Sequence, residues 1–254
     1  KDGKAFFLFH KKATRHFFTV YEEFEKIIQI VVAKGLKKRY NYNWIKFEFY
    51  INNNTESGGL QMSNSAKLSA RERIESLVDA NSFVEIGGMI TKRNTDFNMQ
   101  EKAVPADGVI TGYGVVNSNL VYIYSQDVTA LNGSVGEMHA KKIAGIYEMA
   151  MKAGAPVIGL IDCAGIRVQE AMDALAGFGD IYMAKVNASG VIPQISAVLG
   201  SCGGGVAISS KLGDITIIEK TNGKLFVNSP NAIAGNRIEK CDTSDAAFQA
   251  ECGN

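Results

Sequence analysis

Ala155-Pro-Val-Ile-Gly-Leu-Ile-Asp-Cys-Ala-Gly-Ile-Arg-Val-Gln-Glu-Ala171, with Gly200-Ser-Cys-Gly-Gly-Gly-Val206 further on, decides the fold. The apolar runs Val157 to Ile161 and Ile195 to Leu199 are short, rich in β-branched residues and bounded by Pro or Gly. They read as buried strands. Each breaks into small residues, Cys163-Ala164-Gly165 and Gly203-Gly204-Gly205, and then into a helical segment. Small residues at two strand ends let backbone N–H groups approach a ligand closely, which makes them natural oxyanion donors.

Working outward, Ser69-Ala-Arg-Glu72 is a capping box opening a helix with Ile74, Leu77 and Val78 on one face. Phe83 to Ile86 reads as a short strand. Val109 to Val116 and Leu120 to Ser125 read as two strands joined by a hairpin at Asn117-Ser118-Asn119. The pattern predicts a helix over Glu137 to Lys152 with Ile143, Ile146, Tyr147 and Ala150 inward. Further helices are expected over Ala171 to Asn187 and Val206 to Lys211, with strands over Ile215 to Ile218 and Leu225 to Val227. Hairpins feeding repeated strand–helix units predict an α/β fold with helices covering the sheet.

The chain has 254 residues, 46% of them hydrophobic, and a formal net charge of +1. It can bury a real core, and its global charge gives no reason to expect nucleic acid. Its four cysteines contain no C-x-x-C pair, which argues against zinc ribbons and thioredoxin-like motifs. A reduced, cytoplasmic protein is the expectation. No apolar run approaches the roughly 18 residues a membrane helix needs.

Residues 1–61 differ from the rest. They hold 11 Lys/Arg against 6 Asp/Glu, eight of the thirteen Phe and the single Trp, Trp44. Within them, Tyr21 to Lys34 fits a helix and Trp44 to Ile51 alternates like a strand. Asn52 to Met62 has linker composition. The basic aromatic mixture carries no recognised nucleic-acid motif. Ser57-Gly58-Gly59 is encodable as a purine-rich ribosome-binding sequence ahead of Met62, so residues 1–61 are expected to be an accessory extension or a translated leader. Residues 62–254 are expected to be the folded domain.

Several motifs in order resemble the carboxyltransferase subunits of biotin-dependent acyl-CoA carboxylases and decarboxylases. They are Pro105-Ala-Asp-Gly-Val-Ile-Thr-Gly-Tyr-Gly, Gln126-Asp127, Gly133-Ser134-Val-Gly136, His139-Ala-Lys-Lys142, Gly154-Ala-Pro-Val-Ile-Gly-Leu-Ile-Asp162, Gly165-Ile-Arg167-Val-Gln169-Glu170, Ala188-Ser-Gly-Val-Ile-Pro193-Gln and Cys202-Gly-Gly-Gly205. The likeness is to the group of propionyl-CoA carboxylase β chains, the transcarboxylase large subunit and the glutaconyl- and methylmalonyl-CoA decarboxylase subunits, over about Ser69 to Ile233. It implies a crotonase-like spiral of ββα units, here an N-terminal domain stopping short of its final helix.

The resemblance further implies an oxyanion hole of backbone amides, carried over to Gly165 or Ile166 and to Gly204 or Gly205. It puts Gly133, Ser134, Gly136, His139, Lys142 and Arg167 on the CoA-binding side. The family has Ser-Gly-Gly-Ala where this chain has Cys163-Ala164-Gly165-Ile166, which is expected to narrow the acyl pocket. The cofactor implied is biotin on a separate carrier, with acyl-CoA as substrate. The partners implied are a biotin carboxyl carrier protein, biotin carboxylase or membrane decarboxylase subunits, and further copies of the chain in a homo-oligomer.

Plainer readings stand beside these. Cys163 and Cys202 read as small buried residues, His139 as a structural histidine, and Lys141 and Lys142 as a solvated face. Arg167 with Glu170 is either a structural pair or part of the site. Gly200-Ser-Cys202-Gly-Gly204 fits the nucleophile-elbow spacing of a thiol hydrolase. That enzyme needs a histidine after the nucleophile, and none follows His139. The alternative within the family is a non-catalytic or truncated acyl-CoA-binding subunit.

Overall fold

The computed structural model of the chain describes residues 68–93, 104–229 and 242–253. The helix expected over Tyr21 to Lys34, the strand over Trp44 to Ile51 and the boundary at residue 62 lie outside the described residues.

The capping box forms as read. Ser69 Oγ accepts from Glu72 N at 3.3 Å, Glu72 Oε2 accepts from Ser69 N at 2.8 Å, and α1 (Ala70–Glu75) follows. Two backbone donors that the helix cannot satisfy internally are thereby paired. β1 (Val84–Ile86), β2 (Val109–Val116) and β3 (Asn119–Gln126) make an antiparallel meander. The β2–β3 turn places Asn117 at φ 49° and Ser118 at φ 65°. Positive φ at both positions is what a two-residue type I′ turn demands. The Asp79 carboxylate accepts from both turn amides, at 3.1 and 3.3 Å.

From β3 onward the sheet is parallel. β4 (Val157–Cys163), β5 (Gln194–Gly203) and β6 (Ile215–Ile218) follow in the order β1-β2-β3-β4-β5-β6, and β7 (Lys224–Phe226) pairs with β5. The connections carry α2 (Glu137–Ala153), α3 (Ala171–Ala188) and α4 (Gly205–Lys211), and α5 (Ala246–Glu251) lies at the C-terminal end. This is the α/β class that the strand–helix alternation predicts.

Every residue of β4 is buried, as a parallel strand covered on both faces must be. On one face Val157, Ile161, Val198 and Cys202 pack with Ile143, Ile146, Tyr147 and Ala150 of α2 and Phe178 and Ile181 of α3. On the other, Ile123, Ile158, Leu160 and Ile195 pack with Ile74 and Leu77. A fully buried Ile or Leu contributes about 1.5–3 kcal/mol of transfer free energy, so β4 anchors both layers.

Both strands of the deciding stretch are longer than the apolar runs suggest. β5 continues through Gly200-Ser-Cys-Gly because Ser201, Cys202 and Gly203 pair with Lys224, Leu225 and Phe226. The β4–β5 ladder also slips. Val157 to Ile161 pair with Gln194 to Val198, and then Cys163 pairs with Cys202. Residues 199–201 of β5 therefore stand opposite Asp162 alone. At this bulge β5 changes partner, from β6 below it to β7 above.

Candidate active site

Past the bulge, the ends of β4 and β5 lie side by side. A Cβ placed on Gly203 would lie 3.0 Å from the Ala164 carbonyl oxygen, and one on Gly165 would lie 3.4 Å from the Gly203 oxygen. The structure thus brings Gly165, Ile166, Gly204 and Gly205 together. It also separates them by the fate of their amides. Gly165 N donates to Cys163 Sγ at 3.3 Å, and Gly204 N donates to Phe226 O at 3.0 Å.

Ile166 sits in a one-residue parallel bridge with Val135, in which Val135 N donates to Gly165 O and Arg167 N donates to Val135 O, each at 2.9 Å. That pairing uses the groups flanking Ile166 and turns its own N–H the other way. The Ile166 and Gly205 amides find no acceptor among the described residues. Ile166 is 37% exposed, and Gly205 is partly exposed.

Gly204 adopts φ 62° and ψ −130°, a conformation that needs glycine, while a Cβ there would meet nothing within 4 Å. The space over Gly204 is open, and an alanine at this position is opposed by backbone strain, not by contact. Gly205 is the reverse case. Its Cβ would lie 2.8 Å from both the Phe178 ring and Tyr182 Oη, and the Tyr182 hydroxyl donates to Gly205 O at 2.8 Å. One ring pair from α3 holds the residue whose amide stays open.

The second set, Gly133, Ser134, Gly136, His139, Lys142 and Arg167, is also drawn together, around a buried ion network. Arg167 Nη1 pairs with Asp107 Oδ1 and with Glu170 Oε1, the latter at 2.9 Å, and all three side chains are fully buried. Arg167 Nη2 donates to Ser134 O at 2.8 Å, and Glu137 N donates to Glu170 Oε2 at 2.7 Å. A Cβ on Gly136 would sit 2.5 Å from Arg167 Nη1, and one on Gly133 would fall on the Asp162 carbonyl oxygen. Lys142 Nζ donates to the carbonyls of Ala106, at 2.7 Å, and Val109. Contrary to the expected solvated face, Lys142 is buried, and only Lys141 is exposed.

Asp107 is the residue that sequence reading passed over. It accepts from His139 N at 2.7 Å through Oδ2 and from His139 Nδ1 at 2.9 Å through its carbonyl. Its place in Pro105-Ala-Asp-Gly was visible, but its partner Arg167 lies sixty positions away. Burial pushes its carboxyl upward, and Arg167 opposes the shift.

Burial also sets the character of the other titratable groups. The Cys163 thiol is pushed up to about 12 and that of Cys202 to about 11, so both stay protonated at neutral pH. Cys202 is fully buried, with its sulfur 3.2 Å from Ser210 Oγ, which ends the thiol-hydrolase alternative. Burial, reinforced by the Arg167 charge, lowers the His139 imidazole to about 3, and burial lowers the Lys142 ammonium to about 8. With Nδ1–H donating to Asp107 O, the neutral His139 leaves Nε2 to accept from Gln126 Nε2 at 3.1 Å.

A pH dependence follows. The unfolded histidine takes up a proton as pH falls through about 6.5, whereas the folded one resists to about 3. Its share of stability is therefore complete above the upper value and is lost progressively between the two. Asp107 contributes in the opposite sense, so the measurement is a comparison. Denaturant midpoints between pH 7.5 and 5 should fall less steeply in His139→Gln than in the parent. Equal slopes would mean that His139 is not held neutral.

The family model described as the carboxyl transferase domain matches residues 61–246. The chain belongs to the carboxyl transferase domain family. Within that family it is 43% identical over 198 residues to the propionyl-CoA carboxylase beta chain of Roseobacter denitrificans, covering 72% of this chain and 39% of that one. It is 45% identical over 179 residues to methylmalonyl-CoA decarboxylase subunit alpha of Veillonella parvula, covering 70% and 35%. Among solved structures, transcarboxylase 12S with hydrolysed methylmalonyl-coenzyme A bound superposes with a TM-score of 0.64 at 37% identity, over 73% of this chain and 35% of that one. The fold is thus the crotonase-like one that the motifs implied. The chain spans about a third to two fifths of the length of the curated relatives it matches. No helix among the described residues is long and apolar enough to cross a membrane.

Proposed function

We propose that this chain is the acyl-CoA lobe of a biotin-dependent carboxyltransferase, acting on a short acyl-CoA of the kind named for its propionyl- and methylmalonyl-CoA relatives. The observation that carries this reading is the pair of open amides, Ile166 and Gly205, on adjoining strand ends of a carboxyl transferase domain. Moving a carboxyl group to or from the carbon next to a thioester passes through an enolate. Donors fixed in advance at the developing oxyanion lower that barrier, and removing one costs about 10²–10³ in kcat.

The Ile166 and Gly205 N–H groups would hold the thioester oxygen, while the open space over Gly204 admits the acyl group. Arg167 and its carboxylates hold the Gly133–Gly136 turn against the end of β4, so their role here is to position the CoA side. His139, at about 3, is far too weak a base at neutral pH, and both buried thiols are protonated. This lobe therefore supplies donors and not the base. Biotin, borne on a separate carrier, gives or takes the carboxyl group. The remaining partners are biotin carboxylase or membrane decarboxylase subunits, with further copies of the chain in an oligomer.

Calorimetric titration of the chain with acetyl-, propionyl- and glutaconyl-CoA tests the assignment. Saturable binding of at least one is expected, with Cys202→Ser binding equally well. Absence of binding to all three, or loss of binding in a folded Cys202→Ser variant, would contradict it.

A further inference from the structure

The oxyanion donors need a fixed separation, and the bulge just beneath them shows how it is set. Opposite residues 199–201 the β4–β5 ladder fails, so the Ser201 amide has no ladder acceptor on β4. Asp162 replaces it, accepting from Ser201 N through Oδ1 at 3.2 Å. Its other oxygen accepts from Arg73 Nη2 of α1 at 2.9 Å, and the two side chains are 4% and 1% exposed. Asp162 also presents its carbonyl to Gly133, while the next amide but one, Ala164 N, donates to Asn132 O at 3.0 Å. Four segments meet on one residue: α1 below the sheet, the 132–133 turn, the strand leading to Ile166 and the strand leading to Gly205.

We infer that Asp162, braced by Arg73, is a positioning residue that fixes the distance between the Ile166 and Gly205 amides. It acts by holding the bulge at which β5 leaves β6 for β7. This rests on the proposed reading of the site, but its geometric content is separable from it. Without the Asp162 carboxylate, Ser201 N loses its acceptor, and the four residues from Ser201 to Gly204 are free to settle back toward a regular ladder. Misplacement of a reacting group by about 1 Å costs on the order of 100-fold in rate.

The test is run on the assembled carboxyltransferase containing this chain, with three variants. Asp162→Ala removes both contacts. Asp162→Asn keeps an oxygen for Ser201. The pair Arg73→Met with Asp162→Asn removes both charges but keeps that oxygen, which guards against loss of fold through an unpaired buried charge. Asp162→Ala is expected to lower kcat on the order of 100-fold with KM for the acyl-CoA little changed, while both Asn-containing variants recover most of the rate. Hydrogen exchange at Ser201 to Val206 should quicken in Asp162→Ala alone, with α2 unaffected.

Unchanged kcat in a folded Asp162→Ala enzyme overturns the inference, as does equal loss in all three variants. If the parent enzyme proves inactive on acyl-CoA, the proposed function fails instead. The positioning claim is then decided by exchange, sustained by faster exchange confined to residues 201–206 and overturned by none.

Discussion

Arg167→Met is expected to leave the protein barely folded, with a loss of about 3–5 kcal/mol. The guanidinium lies among Asp107, Glu170 and Ser134 with no solvent exposure of the charged groups. Methionine fills most of the volume, but it strands two carboxylates in the interior. Unpaired buried charge is costly in a way that the intact network is not. Domains of this kind are stable by about 5–15 kcal/mol in all, so the loss is a large share.

Neutralising the stranded partner should recover part of that loss. Arg167→Met combined with Asp107→Asn is expected to be more stable than the sum of the single variants, because the two residues touch. Denaturant unfolding of the four proteins of this cycle decides the matter. A loss below about 1 kcal/mol for Arg167→Met would place it with ordinary surface pairs.

The sequence carried the main strands because their signals are local. Val109 to Val116 alternates and ends at a turn pair tolerant of positive φ, and the observed strand has those bounds. The four-residue extension of β5 was not legible. Gly200-Ser-Cys-Gly has poor strand propensity, and its strand character comes from β7, more than twenty residues later.

The site was legible to the same degree. Small residues after two apolar runs pointed to Cys163-Ala164-Gly165 and Gly203-Gly204-Gly205, and the family resemblance narrowed these to Gly165 or Ile166 and Gly204 or Gly205. Which amides remain open depends on Phe226 O and the Val135 bridge, both tertiary, as well as on Cys163 Sγ two residues before Gly165. Asp107 and Asp162 escaped notice for a related reason. Each is a lone acidic residue in its own segment, and its meaning lies in Arg167 or in Arg73 and Ser201, between 39 and 89 positions distant.

The most direct measurement exchanges single backbone amides for esters by semisynthesis in the assembled enzyme. An ester keeps the side chain and the backbone path but deletes the N–H donor. At Gly205 the account predicts a fall in kcat of about 10²–10³-fold, little change in KM for the acyl-CoA, and an unaltered melting curve. The same change at Gly204 removes only the bond to Phe226 O. It should cost about 0.5–1.5 kcal/mol of stability and leave the chemical step intact. A Gly205 ester that turns over at the parent rate, or a Gly204 ester that is folded but inactive, would contradict the assignment of Gly205 as the oxyanion donor.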